Sequence, residues 1–331
     1  MVKYLIIRLS SIGDIVLSTT LLRCLKDQVE GAEIHFLTKE KYSSLLESNP
    51  YIDKIHFFRG NFSELYGKLK YEHYDYLIDL HNNIRTYRLK TKLKILSFTV
   101  DKINFKKWLM VNMKINRLPE KHIVDRYMDT ANIFDVKNDG KGLDYFISEN
   151  DKIKLSVFPK HFQKNFIGFC IGGLHNTKKL PVEKIISICN KLDLPVVLLG
   201  GMEDKAVANI IQEKCGKNIF NACGEFSINQ SASIVKQANL IITNDTGLMH
   251  IASAFNKHII SLWGNTIPEF GMYPYLPENS TSESKIIEVE GLKCRPCSKI
   301  GYNSCPKKHF KCMEDIDEDE IVRYCRNILS I

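Results

Sequence analysis

The chain has 331 residues and a mass of 38.1 kDa, beyond the size at which one hydrophobic core usually stops growing, so two domains are expected. Hydrophobic residues make up 44% and charged residues 25%, which excludes a long disordered or collagen-like chain. No apolar run reaches the roughly 20 residues of a bilayer span, and Lys plus Arg exceed Asp plus Glu by 46 to 38, a formal charge of +8.

The segment Met1 to Cys24 is apolar, but Arg8 and Asp14 interrupt it and no small-residue cleavage site follows. That argues against a signal peptide and for a buried strand and helix in a cytoplasmic protein. Tyr4–Ile7 reads as a buried strand and Ser10–Asp14 as a loop. A helix follows, with apolar positions at Ile15, Leu22, Leu25 and Val29. Strands are expected at Ile34–Leu37, Ile55–Phe58 and Tyr76–Leu80, with helices near Lys41–Glu47, Ser63–Tyr71 and Arg85–Leu93. Strand–helix alternation of this kind argues for a parallel sheet with helices on both faces.

Between Arg85 and Lys107 eight cations (Arg85, Arg88, Lys90, Lys92, Lys94, Lys102, Lys106, Lys107) face the single acid Asp101. Such a stretch suits a phosphorylated partner, an anionic membrane surface or nucleic acid; the plainer reading is a solvated helix face. The stretch from Asn138 to Lys164 has weak periodicity and holds Gly140, Gly142 and Pro159, so the domain boundary is expected there.

The alternation restarts at Phe166–Ile171, closing on Gly172-Gly173. Helix Val182–Leu192, strand Pro195–Leu199 and helix Glu203–Cys215 follow, then helix Gln230–Ala238, strand Asn239–Thr243, helix Gly247–Phe255 and strand His258–Trp263. Two doubly wound units in tandem imply ligands at the carboxyl ends of the strands, in a cleft between the halves. Six acids between Glu314 and Glu320 suit the exposed start of a last helix, where negative charge favours the dipole.

Two strand ends carry chemistry. Asn244-Asp245-Thr246-Gly247-Leu248-Met249-His250 follows a buried strand directly. Asp245 or Thr246 can cap the next helix, and Gly247 lets a ligand approach the free N–H groups there, with His250 one turn inside. An ordinary cap with a packed histidine is the bland alternative. Ser10-Ser11-Ile12-Gly13-Asp14 holds the matching place in the first half. Asp14 is either a helix-start acid or a carboxylate able to take a proton from an acceptor hydroxyl.

Ser10–Ile15, the segment Asp79-Leu80-His81-Asn82-Asn83-Ile84-Arg85 and Asn244–His250 together resemble, in order and spacing, the three landmarks of glycosyltransferase family 9, the ADP-heptose:lipopolysaccharide heptosyltransferase family. The resemblance implies a GT-B fold: two tandem Rossmann-like, doubly wound parallel-sheet α/β domains facing a central cleft. It assigns residues 1–155 to acceptor binding and the catalytic aspartate. Residues 160–331 would bind the ADP-sugar and include the Cys-rich segment 294–312 and a terminal helix. It further implies inverting, metal-independent transfer of a heptose or related sugar to a lipopolysaccharide core or lipid-linked acceptor. No cofactor is required, and the enzyme would work at the cytoplasmic face of the inner membrane.

By the same resemblance the catalytic aspartate falls on Asp14. Donor contacts fall on Lys178 (in Lys-x-x-Pro before Pro181), Glu203, Asp245, Thr246, Gly247 and His250, and acceptor contacts on Gly13, Arg85 and Arg126. One departure is that Gly172–Lys178 lacks the hydroxyl residues usual just after this strand in the best-known members. Lys178 and Lys179 could also be surface cations preceding a helix. The only Asp-x-Asp pairs, Asp315/Asp317 and Asp317/Asp319, lie in the acidic tail rather than at a strand end, so a lysine and helix amides are expected to meet the diphosphate charge.

Of ten cysteines, six (Cys24, Cys170, Cys189, Cys215, Cys223, Cys325) lie in apolar segments and read as small hydrophobes. Cys294-x2-Cys297-x7-Cys305-x6-Cys312 resembles a structural zinc loop, though its second pair is spaced wider than usual knuckles; free or redox-labile thiols are the other reading. A family-9-like transferase with another nucleotide sugar and acceptor is the alternative function. A nucleic-acid-binding protein explains neither Asp14 nor His250, so no nucleic-acid partner is expected. A nicotinamide dehydrogenase lacks its G-x-G-x-x-G.

Overall fold

The computed structural model describes residues Met1–Ser330. Val2–Ile7 forms β1, and Leu5, Ile6 and Ile7 are fully buried, as expected for a parallel strand covered on both faces. Two helices follow, α1 (Ile12–Val16) and α2 (Thr19–Gln28). The sequence suggests one helix here. It breaks at Leu17–Ser18, where the Ser18 hydroxyl donates to the Ile15 carbonyl at 2.6 Å and the Thr19 hydroxyl to the Val16 carbonyl at 2.7 Å. Such bonds compete with the helical ladder.

The first sheet continues with β2 (Ala32–Lys39), β3 (Lys54–Phe58), helix α3 (Phe62–Tyr71), β4 (Tyr76–Asp79), helix α4 (Ile84–Leu93) and β5 (Leu96–Thr99). Glu40–Leu45 is a 3-10 turn rather than the helix expected over Lys41–Glu47. The strand order is β3-β2-β1-β4-β5 and every pairing is parallel. Helices α5 (Asn104–Met113) and α6 (Ile123–Met128) come next.

By its contacts the chain divides into two units. Met1–Ile103, Lys121–Phe146 and Pro277–Asn279 make the first; Asn104–Glu120, Ile147–Leu276 and the residues from Ser280 onward make the second. The sequence-based division at 155–160 places residues 147–155 with the first half, whereas the contacts place the crossing earlier. Ile153 N donates to Ser233 Oγ at 2.9 Å and Asn229 Nδ2 to Asp151 Oδ2 at 3.1 Å, both inside the second unit. Just upstream, the first unit holds residues 139–144 tightly. The buried Arg23 guanidinium donates to both Asp139 oxygens at 2.8 Å and to the Gly142 carbonyl at 2.8 Å, and also reaches Asp144. Gly142 has φ +75° and a side chain there would meet Pro277 at 3.0 Å, so this glycine serves a close-packed turn rather than a slack linker.

The basic stretch is not one helix face. It runs through α4, β5 and α5, and its last two lysines belong to the second unit. Lys90 is 3.0 Å from Asp79 Oδ2; Lys92 lies over the rings of Phe62 and Tyr66.

The second sheet has strands β6 (Ile167–Cys170), β7 (Val196–Leu199), β8 (Ile219–Asn221), β9 (Leu240–Asn244), β10 (His258–Trp263) and β11 (Ser284–Glu288). Their order is β11-β10-β9-β6-β7-β8, again all parallel. The intervening helices are α7 (Val182–Leu192), α8 (Lys205–Cys215), α9 (Ile228–Gln237) and α10 (Gly247–Ala254), with α11 (Lys311–Glu314) and α12 (Glu318–Leu329) at the end. Asp317 caps α12 through the N–H groups of Asp319 and Glu320, which accounts for part of the acidic run. Glu318 has a different task, holding α12 on α7 through Lys184 at 3.1 Å, Lys191 at 3.2 Å and the Ser187 hydroxyl.

Candidate active site

In the first unit Arg8 follows directly on β1 and the chain runs on into α1, with Asp14 in its first turn. Ser11 N and Ser11 Oγ donate to Asp14 Oδ2 at 3.1 and 2.9 Å. Arg8 Nη2 lies 2.5 Å from Asp14 Oδ1. Arg8 is itself fixed, its Nε donating to the Ser10 carbonyl at 2.8 Å and its Nη1 to that of Leu80. Burial alone would raise the Asp14 carboxyl; the Arg8 charge and the Ser11 bonds outweigh it and bring it down to about 2. Gly13, beside it, is buried in α1.

The loop after β4 approaches the same arginine. Asp79 is fully buried and its Oδ1 accepts from His81 N at 3.0 Å and Asn82 N at 2.7 Å, so this acid builds the loop. Asn83 then caps α4 through Arg85 N and Thr86 N, leaving Arg85 exposed on the first turn. His81, on the same loop, has no role that the sequence motif alone assigns. Burial first, then Arg8 and Lys102, hold its imidazole down at about 4, so it is neutral at pH 7. Arg126 is 3% exposed within α6, and burial pulls its guanidinium below the ordinary value. Next to it, Tyr127 is buried with Arg8 5.9 Å from its ring centre.

In the second unit the turn after β9 and the loop after β6 come together. Asn244, fully buried, donates from Nδ2 to the Ile171 carbonyl at 3.1 Å and the Gly172 carbonyl at 3.3 Å, and accepts from Leu180 N at 3.3 Å. It ties the glycine loop to the end of β9. Lys178 Nζ lies 2.5 Å from Asp245 Oδ2, which also accepts from Thr266 Oγ1 at 3.0 Å.

Thr246 is the N-cap residue of α10, but its side chain makes no capping bond. The N–H groups opened by Gly247 therefore have no side-chain cap from that residue, as an anion site requires. His250 is buried in the same helix. Lys179 turns elsewhere, to Asp204 Oδ1 at 2.6 Å. Glu203 is exposed, its carboxylate folded so closely over Gly201 that a side chain at that glycine would meet it at 2.3 Å.

A family model for glycosyltransferase family 9 (heptosyltransferase) matches residues 63–303. The chain belongs to glycosyltransferase family 9. It is 24% identical over 354 aligned positions to lipopolysaccharide heptosyltransferase 1 of Campylobacter coli, covering 99% of each chain. Among solved structures it resembles a family 9 glycosyl transferase from Veillonella parvula, with TM-score 0.79 and 22% identity over 99% of this chain and 97% of that one. It also resembles the E. coli heptosyltransferase WaaC crystallised with ADP, with TM-score 0.70 and 16% identity over 98% and 99%. The two doubly wound units are thus those of a GT-B glycosyltransferase.

The cysteine segment 294–312 is gathered in one place. Cys294, Cys297, Cys305, Cys312 and His309 line a cavity of about 10 Å³, with Cys294 Sγ 3.7 Å from His309 Nε2. All four thiols are free. Among the described residues, however, the only His, Cys, Asp and Glu group with three donor atoms within 4.8 Å of one another is His35, His56 and Glu72. Zinc at the cysteines would have to draw them inward.

Proposed function

We propose that this family 9 glycosyltransferase moves a heptose from an ADP-linked donor to a hydroxyl of a lipopolysaccharide-core acceptor, inverting the anomeric centre. The observation that carries the donor half is the Lys178–Asp245 pair, 2.5 Å apart beside the start of α10. A diphosphate leaving group gains negative charge as the glycosidic bond breaks. A lysine and helix amides aimed at that charge stabilise it in the transition state. Lys178 is the diphosphate lysine of this reading. Asp245 orients it, Thr246 and Gly247 present the amides, His250 and the exposed Glu203 complete the donor contacts, and ADP leaves bound to that unit.

Asp14 is the general base. With its carboxyl near 2 it is ionised at any physiological pH but weakly basic. Proton transfer therefore runs late, when bond formation to the anomeric carbon has acidified the hydroxyl. Gly13 and Arg85 serve the acceptor in this reading, Arg85 as the exposed cation. Arg126, being buried, contributes through the charge it places near Asp101 and Tyr127.

No helix among the described residues is long and apolar enough to cross a membrane. Contact with the inner membrane falls to α5, which buries none of its residues. Phe105 and Trp108 are 71% and 51% exposed and stacked 6.3 Å apart, with Lys106 between them. Aromatic rings beside cations suit an anionic lipid interface. The deciding experiment is transfer of heptose from ADP-heptose to lipid-linked core acceptor by the purified protein. ADP release without heptosylated product, or product from another nucleotide sugar alone, would overturn the assignment.

A further inference from the structure

The first sheet carries a polar cluster that the transfer chemistry does not use. His35 on β2 and His56 on β3 lie on one face of two adjacent strands, in diagonal register. They are 2% and 8% exposed. That face otherwise carries Leu5, Ile7, Leu37, Leu65 and Leu69 in one apolar cluster. Two imidazoles and a carboxylate are costly in such a place unless their polar atoms have partners.

The donor atoms converge. His56 Nε2 lies 3.3 Å from His35 Nδ1. Glu72, just after α3, brings one oxygen to 3.8 Å from His35 Nδ1 and the other to 3.9 Å from His56 Nε2. Metal–nitrogen bonds of about 2.0–2.1 Å in a tetrahedron put ligand atoms roughly 3.3 Å apart, which the two histidine nitrogens already match. Beyond them, His35 Nε2 lies 2.8 Å from Glu33 Oε1. That contact fixes the ring with Nδ1 as its acceptor, the arrangement that orients metal-bound histidines. The Tyr74 hydroxyl lies 2.8 Å from His35 Nδ1 and 2.9 Å from His56 Nε2, bridging the nitrogens where a cation would enter. Access exists from the surface, since His56 lines a cavity of about 130 Å³ and Glu72 lines a shallower concavity.

We propose that His35 Nδ1, His56 Nε2 and the Glu72 carboxylate bind one divalent first-row transition metal, Zn2+ by preference. Two imidazoles and a carboxylate are borderline donors suited to such ions. The ion displaces the Tyr74 bridge and takes Glu72 from Lys54, which holds it now and is half exposed. A water or the Tyr74 hydroxyl fills the fourth position. Bound there, the metal clasps β2, β3 and the end of α3, a structural role independent of the transferase reading.

The test is a titration of chelator-treated full-length protein with Co2+ and Zn2+, followed by absorbance, bound-metal analysis and melting temperature. Wild type is expected to bind one equivalent with a nitrogen- and oxygen-ligated cobalt spectrum and a raised melting temperature. Cys297→Ser should keep that equivalent. Glu72→Gln should lose it, and Glu33→Gln, whose carboxylate meets the outer nitrogen of His35 and pairs with Lys3 at 3.1 Å, should weaken it about 10- to 100-fold. Glu33 and Glu72 lie at the rim, so both variants fold even if His56→Asn does not. An unchanged affinity in both glutamate variants overturns the proposal. So does a wild-type protein whose only cobalt spectrum is thiolate-ligated, or one that binds no metal at micromolar concentration.

Discussion

Arg8 Nη2 rests 2.5 Å from Asp14 Oδ1, so the carboxylate assigned as base is formed against a fixed cation. The pair holds Asp14 ionised and aimed, and limits its basicity. General-base catalysis typically contributes 10²–10⁴-fold. Asp14→Asn should therefore lower kcat by about 10²–10⁴-fold while ADP affinity, measured by calorimetry, stays within about twofold. Normal turnover in that variant would remove the assignment.

The same carboxylate gives the stability a pH dependence of defined sign. Asp14 sits at about 2 in the folded chain, and so does Asp139, chiefly through its bonds from Arg23; an unfolded Asp has about 3.9. A carboxyl lowered on folding contributes stability that is complete above about pH 4 and vanishes as the pH drops through about 2. Each contribution is on the order of 2 kcal/mol at neutral pH. Urea unfolding should show wild type losing this stability between pH 4 and 2, with Asp139→Asn showing a shallower loss. Identical pH profiles would contradict the Arg23–Asp139 account.

For the donor side, Lys178→Ala should weaken ADP binding about 10- to 100-fold, the scale of one hydrogen bond to a charged group. Lys179→Ala should leave ADP affinity nearly unchanged and instead lower the melting temperature, because Lys179 serves Asp204. Reversed effects would exchange the two roles.

Asn244→Ala removes one side chain that serves three backbone groups at once. Leaving those buried groups unsatisfied costs about 1–3 kcal/mol, readable as a lower urea midpoint. An Asn244→Ala protein as stable as wild type would show the loop to be held by other means.

Vesicle flotation tests α5. Phe105→Ser and Trp108→Ser together should cut binding to anionic vesicles severalfold and leave ADP affinity alone. Equal flotation of wild type and variant would move membrane contact elsewhere.

Much of this was legible in the sequence because buried parallel strands are unbroken apolar runs. Tyr4–Ile7, Phe166–Ile171 and Asn239–Thr243 all fall on central strands, and Val182–Leu192 forms α7 over the residues expected. The edge strands β5, β8 and β11 went unread, being short and only partly buried. Helix α5 went unread because none of its residues is buried, so no stripe of core positions marks it. In the site, motif spacing pointed to Asp14 and Asp245. Their partners Arg8 and Lys178 differ: the lysine was visible in its motif, whereas Arg8 looked only like an interruption in an apolar run. Nothing in residue spacing announced His35, His56 and Glu72, which meet only when β2 lies beside β3.

Lys178 and Lys179 are consecutive but answer to different carboxylates, Asp245 and Asp204. A deletion of one residue between Gly173 and Lys178 would carry Lys179 into the place of Lys178 and leave Asp204 without its ammonium. The neighbouring loop thus has a length that must be conserved even where its composition is free, and chimaeras spliced through it should tolerate substitutions far better than indels.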